Sequence, residues 1–449
     1  MEINESGNPK FKAQKQKKKL YFVIGGLLLT LFVAGFVYGS HIFNNRTTEG
    51  SGLANENETE NHLPTEADIS DEQVDPSLPE DSESNDESDE TRIRLQFAGD
   101  VFIHQGPIDV ARTGENTFDF NPFLQHIAPF IDGDFVMANM ESPVDAFGGN
   151  QSVAGWPYFN APFEVLEALR NAGFNHLSSA NNHAFDKGFE GLLNTVGSFE
   201  RAGIAHTGLS VDMEDFNTPT IIDVNGIQVG VLAYTDVINH QGFALMPSDV
   251  IPFAVRQFRS YNLDDMPRMA TDIADLREAG AELVVVSLHW GAEYVDAPTE
   301  TQRLIAAELS EAGADVIMGH HSKTVQPLEW HYREDGSRAL VMYSLGNFMV
   351  DQTRLEVPEP RTQYGMLVSL EVTRGLEGEI NLTATDALPT LIMRDFTGDT
   401  LGTVDGVAIL PIFDGAVPDF VNDEEVRAWG GRAYDHVVNI VGRQWITTD

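Results

Sequence analysis

The sequence predicts an α/β (α+β) fold in which two mixed sheets pack face to face between flanking helices, preceded by a single transmembrane helix. Three observations lead there. Ala172-Gly173, Ala202-Gly203, Ala279-Gly280 and Ala312-Gly313 each close a helical pattern shortly before an apolar run, which is the alternation of a β-α-β architecture with a largely parallel sheet. Asn225-Gly226 stands between Pro219–Val224 and Ile227–Ala233, the signal of a type I′ hairpin, and so adds antiparallel pairing to the same fold. Leu20–Phe43 contains no charged residue if His41 is neutral, and is long enough to cross a hydrocarbon core of roughly 30 Å.

Composition narrows the chemistry. At 449 residues and 42% apolar content the chain can bury a large core. It has no cysteine, which excludes disulfides, thiolate metal sites, cysteine-ligated clusters and thiol nucleophiles. Any metal must use His, Asp, Glu or Asn, a donor set that suits zinc, manganese or iron. A net charge of −41 with no evident basic face argues against nucleic acid as a partner.

Lys10, Lys12, Lys15, Lys17, Lys18 and Lys19 precede the apolar run. Basic flanks stay inside, so residues 1–19 read as a cytoplasmic segment and residues 20–43 as a membrane anchor. The alternative is a cleaved signal peptide, but the apolar run exceeds the usual core of about 7–15 residues and Tyr38-Gly39-Ser40 is a poor cleavage site. Residues 44–91 read as a disordered acidic tether, because Ser, Asn, Asp, Glu and Pro dominate and no aromatic follows Phe43. Such a segment cannot bury enough apolar surface to offset its ordering entropy. A binding surface for cations or a basic partner is the other reading of this stretch. Residues 92–449 are then an extracellular domain.

Within that domain Leu95–Ala98 reads as a strand ending on Gly99-Asp100, followed by a helical segment around Pro122–Ile131. Phe135–Ala138 is the next strand, ending on Asn139-Met140-Glu141. Pro162–Asn171 has an amphipathic helical pattern, Phe174–Ser178 leads into Ala180-Asn181-Asn182-His183, and Gly188–Arg201 is again helical. Leu283–Leu288 is a β-branched apolar run of the kind buried on both faces, and it ends on His289-Trp290-Gly291. Thr299 and Gln302 have the spacing of a capping box, Gly313 closes their helix, and Asp315–Met318 ends on Gly319-His320-His321. Leu340–Ser344, Met366–Val372 and Glu379–Thr385 are antiparallel candidates, and Glu424–Ile440 is a terminal helix; between them, residues 386–449 carry few other signals.

Five strands thus end on polar groups: Asp100, Glu141, Asn182-His183, His289, and His320-His321. In open α/β sheets that edge is where ligands bind. Each residue has an ordinary explanation by itself, as a helix cap for Asp100, an Asx-turn for Asn182 or an arginine partner for Glu141. Together, carboxylate oxygen, amide oxygen and imidazole nitrogen are what a divalent cation takes, and one or two ions (Mn, Zn or Fe) are expected.

FAGDV at 97–101, ANMESP at 138–143, SSANNHAFDKG at 178–188, SLHWGAEY at 287–294, GADVIMGHH at 313–321, VQPLEW at 325–330 and YSLGNF at 343–348 carry a resemblance. By these the chain resembles the CapA family of capsule (poly-γ-glutamate) biosynthesis proteins, whose domain has the calcineurin-like metallophosphoesterase α/β/β/α sandwich. The resemblance implies that Asp100, Glu141, Asn182, His289, His320 and His321 are metal ligands, with Glu141 in the bridging position. It also implies that His183 is a proton donor or transition-state stabiliser and that Asp186 orients its ring. Two departures stand out. Metallophosphoesterases usually open with Asp-x-His, where this chain has Phe102 and, further on, His104. The family's GHHPH is GHHSK here, so that Lys323 replaces an imidazole and either binds an anionic substrate or marks a site with one metal or none.

Three functional readings follow. The preferred one is a membrane-anchored component of a polymer synthesis and export system, with membrane-bound synthase and export proteins as partners. The second is a metal-dependent hydrolase acting on a phosphoester or on an amide of an anionic polymer, and the third is a scaffold without metal.

Overall fold

Thr91–Val101 is the strand around which the larger sheet is laid out in the computed structural model, which describes residues 91–145, 152–352, 360–395, 406–419, 421 and 424–447. The expected basic segment 1–19, anchor 20–43 and, apart from Thr91, tether 44–91 lie outside the described residues. Among the described residues, no helix is long and apolar enough to cross a membrane.

The larger, 8-stranded sheet runs Gly406–Pro411, Ile380–Asp395, Tyr364–Arg374, Thr91–Val101, Phe135–Met140, His176–Ser178, Ala205–Thr207, with Asn347–Met349 also pairing parallel to Thr91–Val101. Its first part is antiparallel, and from Thr91–Val101 onward it is parallel. The 6-stranded sheet runs Leu328–Tyr332, Arg338–Met342, Val316–His320, Leu283–His289, Ile227–Thr235, Ile221–Val224. Its four central strands are parallel, and its two edge strands are antiparallel. Two mixed sheets are therefore present, as expected.

Side-chain alternation explains the layers. Successive residues of a strand face opposite sides, so one set from each sheet builds a shared interior. Leu95, Phe97, Met137, Val368 and Leu370 of the larger sheet join Val229, Val285, Val316, Met318 and Leu340 of the smaller in one buried cluster. The outer face of the larger sheet, with Val136, Ala138 and Leu177, is covered by Leu166, Leu169, Leu192 and Phe199 of helices Glu164–Ala172 and Gly188–Ala202. Val284, Val286 and Ile317 of the smaller sheet are covered by Met269, Ile273, Ile305 and Leu309 of helices Met266–Glu278 and Glu300–Glu311.

The local signals act as read. Gly173, Gly203, Gly280 and Gly313 all take positive φ after their helices (114°, 69°, 109° and 106°). Thr299 and Gln302 form a reciprocal capping box. Asn225 (φ 48°) and Gly226 (φ 90°) turn Val224 onto Ile227.

Several boundaries differ. The helix expected over Pro122–Ile131 is two short pieces, Asn121–Leu124 and a 3-10 turn at Ala128–Phe130, because Pro129 has no N–H to continue the first. Glu379–Thr385 is the start of a 16-residue strand, Ile380–Asp395. It runs through Pro389, which normally argues against a strand interior; here Pro389 pairs with Met366, and its carbonyl accepts from Ile412 N–H. The C-terminal region, nearly silent in sequence, closes the inter-sheet core with Val426, Ala433 and Val437 of helix Glu424–Val441.

His176 is fully buried against Phe135, with Nε2 2.8 Å from Thr207 Oγ1. Burial, followed by the charge of His206, lowers its pKa to about 3. The native imidazole is neutral, while the unfolded chain binds a proton below roughly 6.5. As pH falls from that value toward 3 the unfolded state therefore gains on the native one. Urea unfolding between pH 7 and 4 is expected to give His176→Asn a stability–pH slope shallower than the parent's by about one proton.

Candidate metal centre

Register brings the sequence-predicted residues together. His289 and His320 are Cα partners at the ends of adjacent strands, and Asp100 pairs with Asn139 in the other sheet. Gly99 and Gly319 permit this. A Cβ at Gly99 would lie 2.0 Å from the Gly346 carbonyl oxygen, and one at Gly319 2.0 Å from that of Tyr343. Only glycine lets backbones approach so closely. The sheets are tied at this end by Ser287 Oγ donating to Ser178 Oγ (3.0 Å) and by Asn139 Nδ2, 2.8 Å from Asp100 Oδ1 and 3.4 Å from His289 Nδ1.

Trp290 anchors the histidine strand. It is fully buried, stacked on Tyr343 and donating to the Tyr343 carbonyl at 3.1 Å. The next turn is strained. Tyr294, His321 and Lys323 all have positive φ (64°, 87° and 60°), a costly conformation for such side chains that concentrates at functional sites. Tyr294 N–H to the Ser322 carbonyl, at 2.7 Å, locks the two loops together.

Three ligand-capable groups converge. Single donor atoms of Glu141, His289 and His321 lie within 4.8 Å of one another, and all three residues are buried. His289 Nε2 is 3.6 Å from Glu141 Oε1 and 3.0 Å from Asn182 Oδ1. Ligands held about 2.0–2.2 Å from one ion stand about 3–4.5 Å apart, so Asn182 belongs to this group. Glu141 Oε1 and His321 Nδ1 are buried and find no hydrogen-bond partner among the described residues. Burial, then the neighbouring His321, holds His289 well below the usual imidazole range. Burial, then Lys323, lowers His321 to about 3. Both rings are thus neutral, the form that binds metal. The residues fit a divalent ion.

Asp100 is engaged differently. Lys323 Nζ donates to Asp100 Oδ2 at 3.0 Å and also to Glu141 Oε2, and the ammonium lies 4.3 Å from the centre of the Phe102 ring. His320 Nδ1 is 3.2 Å from Asp100 Oδ1, and His321 N–H reaches Asp100 Oδ2 at 3.3 Å. Burial would lift Asp100, but Lys323 and then His320 outweigh it and hold its carboxyl well below the ordinary range. Burial would lower Lys323, but the two carboxylates outweigh it and push the ammonium up. Glu141 is raised by burial and by the Asp100 charge in spite of Lys323. One ammonium serves two carboxylates, with Asp100 held ionised and Glu141 pushed toward its protonated form.

His183 and Asp186 form a separate pair beside this group. Nδ1 and Oδ2 are 2.7 Å apart, Phe159 N–H donates to the same carboxylate oxygen at 2.9 Å, and the Phe159 ring stands edge-on to the imidazole. The Asp186 carboxylate thus lies within hydrogen-bond distance of the His183 ring. The sequence reading missed the part played by Asn139, which its position beside Glu141 in ANMESP could have suggested. It also missed that Phe102 covers Lys323. His104 packs on Phe102 and Phe159.

A family profile described as bacterial capsule synthesis protein PGA_cap matches residues 94–352. The capsule biosynthesis protein CapA of Bacillus anthracis is 28% identical over 264 residues, covering 58% of this chain and 60% of that protein. The PGA biosynthesis protein CapA of Bacillus subtilis (strain 168) is 29% identical over 284 residues, 61% of this chain and 67% of the relative. The match thus spans about three fifths to two thirds of these relatives. Among solved structures, the NAD nucleotidase of Haemophilus influenzae covers 80% of this chain and 57% of its own, at 15% identity and a TM-score of 0.40, too loose a likeness to bear on the site.

Removing the ammonium while keeping the stem isolates its electrostatic part. Breaking a buried ion pair by deleting one partner typically costs about 3–5 kcal/mol. Lys323→Met is expected to lose stability of that order in urea unfolding with chelator present, and Lys323→Met combined with Asp100→Asn is expected to lose less.

Proposed function

This chain belongs to the bacterial capsule synthesis protein family, and we propose that it serves as a membrane-anchored accessory of capsule or poly-γ-glutamate synthesis and export. The observation that carries this reading is the reach of the family match, which takes in every residue of the metal centre from Asp100 to Lys323. In this reading residues 20–43 anchor the chain, 44–91 tether it, and 92–449 work outside the membrane beside a membrane-bound polymer synthase and its export components. The folded part is then a calcineurin-like metallophosphoesterase sandwich whose centre, Glu141, His289, His321 and Asn182, holds manganese, zinc or iron. Such an ion supplies a Lewis acid for a phosphoryl or carbonyl oxygen.

A hydrolase acting on a phosphoester or polymer amide is the second reading. What favours it is the His183–Asp186 pair, since an imidazole oriented by a buried carboxylate next to a metal centre is placed to hold or give a proton.

Deleting the gene is expected to abolish cell-surface polymer, and complementation with His289→Ala to restore little of it. In the purified chain, chelation is expected to lower the melting temperature and added manganese or zinc to restore it, with His289→Ala insensitive to both. Full complementation by an insensitive His289→Ala protein would leave the scaffold reading.

Topology is tested apart from the metal. Protease added to intact cells is expected to remove the domain and leave a short protected N-terminal stub. Protection of the whole chain would overturn the surface placement.

A further inference from the structure

Lys323 is the one buried lysine of the metal centre, and its surroundings define what it does there. It is 2% exposed. Its ammonium has three N–H donors, and three neighbours surround it: Asp100 Oδ2, Glu141 Oε2 and the face of Phe102. No side of it is left for a substrate. A lysine that clamps an anionic ligand keeps a donor turned toward the site; this one turns its charge onto two carboxylates of the protein.

We propose that the Lys323 ammonium permanently fills one cation position of this centre, so that the site takes a single divalent ion, held by Glu141, His289, His321 and Asn182. This rests on the metal-site reading given under Proposed function. The two oxygens of Glu141 divide the roles. Oε2 binds the ammonium, whereas Oε1 has no hydrogen-bond partner among the described residues and faces His289 Nε2. Glu141 therefore bridges an ammonium and an ion rather than two ions. Asp100 lies on the ammonium side, with Lys323 and the His321 N–H at one oxygen, and Asn139 and, at 3.2 Å, His320 Nδ1 at the other. A second divalent ion at Asp100 would have to displace Lys323 from both carboxylates or meet its charge at contact distance.

Two further observations agree. The residues that depart from the expected metallophosphoesterase pattern, Phe102 and Lys323, are in contact with each other. Where an imidazole would have offered a lone pair to a metal, Phe102 offers a ring face to an ammonium, an attraction that is stronger when desolvated. The backbone is also committed to this arrangement, since Lys323 is held at φ 60° between Ser322, whose hydroxyl donates to the Thr324 carbonyl, and Thr324.

The test counts ions. The full-length chain, stripped with chelator and equilibrated with excess Mn²⁺, is expected to retain one manganese per chain by elemental analysis. Its electron paramagnetic resonance spectrum is expected to be that of an isolated Mn²⁺. Lys323→His is expected to retain two, with the exchange-coupled spectrum of a neighbouring pair, and the Phe102→His and Lys323→His double variant likewise. Two coupled ions in the parent chain would overturn the proposal while leaving the metal site intact. No ion in the parent chain would remove the metal site, and the proposal with it. A Lys323→His protein that still binds one ion would overturn the assignment of Lys323 as the occupant. Should that variant not fold, the count in the parent chain decides.

Discussion

A single ammonium buried between two carboxylates sets the terms for the centre of this protein. Lys323, Asp100 and Glu141 are each at most 2% exposed. Two carboxylates in such a place would be intolerable without a cation, because the desolvation cost of each charge is several kcal/mol. Metal-dependent sites commonly meet that demand with ions taken from solution. Here part of the demand is met by the chain itself, so the Asp100 side of the centre is electrostatically complete whether or not an ion is bound. The Glu141 side is not. Its second oxygen, the neutral rings of His289 and His321, and the Asn182 amide oxygen remain as a compact donor set.

The rest of the architecture serves to hold those charges in place. Asp100 comes from the larger sheet and Glu141 directly follows one of its strands, whereas His289, His320 and Lys323 come from the smaller one and the loop after it. The ion pairs therefore bridge two sheets whose shared interior is apolar. Apolar packing fixes a separation but tolerates sliding. The directed contacts of Asn139 with Asp100 and His289, and of Ser287 with Ser178, pin the relative register at the end where it matters. The cost appears in the backbone, with His321 and Lys323 in left-handed conformations in the same turn.

A net charge of −41 repels a polyanion at long range, and Lys323 has no free donor to attract one. Binding of an anionic group at this centre would depend on the divalent ion, which makes occupancy by metal a condition for any such contact rather than a refinement of it.

Much of the fold was legible in the sequence because its signals are local. An Ala-Gly step closes a helix through the conformational freedom of one glycine, Asn225-Gly226 specifies a turn through two residues, and Leu283–Leu288 declares a buried strand by its own composition. The candidate ligands were legible for the same reason, since each stands at or shortly after the end of a recognisable strand. What the sequence could not determine was pairing at a distance. Ile380–Asp395 is a long strand through Pro389 only because Met366 and Ile412 accept it there, and the C-terminal helix has its place because the inter-sheet core needs closing. The same holds for Lys323. Its identity marks a departure from a family pattern, but whether it grips a ligand or neutralises the protein depends on which atoms surround it. That was decided by the packing of two sheets, which brought Asp100, Glu141 and Phe102, 223, 182 and 221 residues away in the chain, around one ammonium.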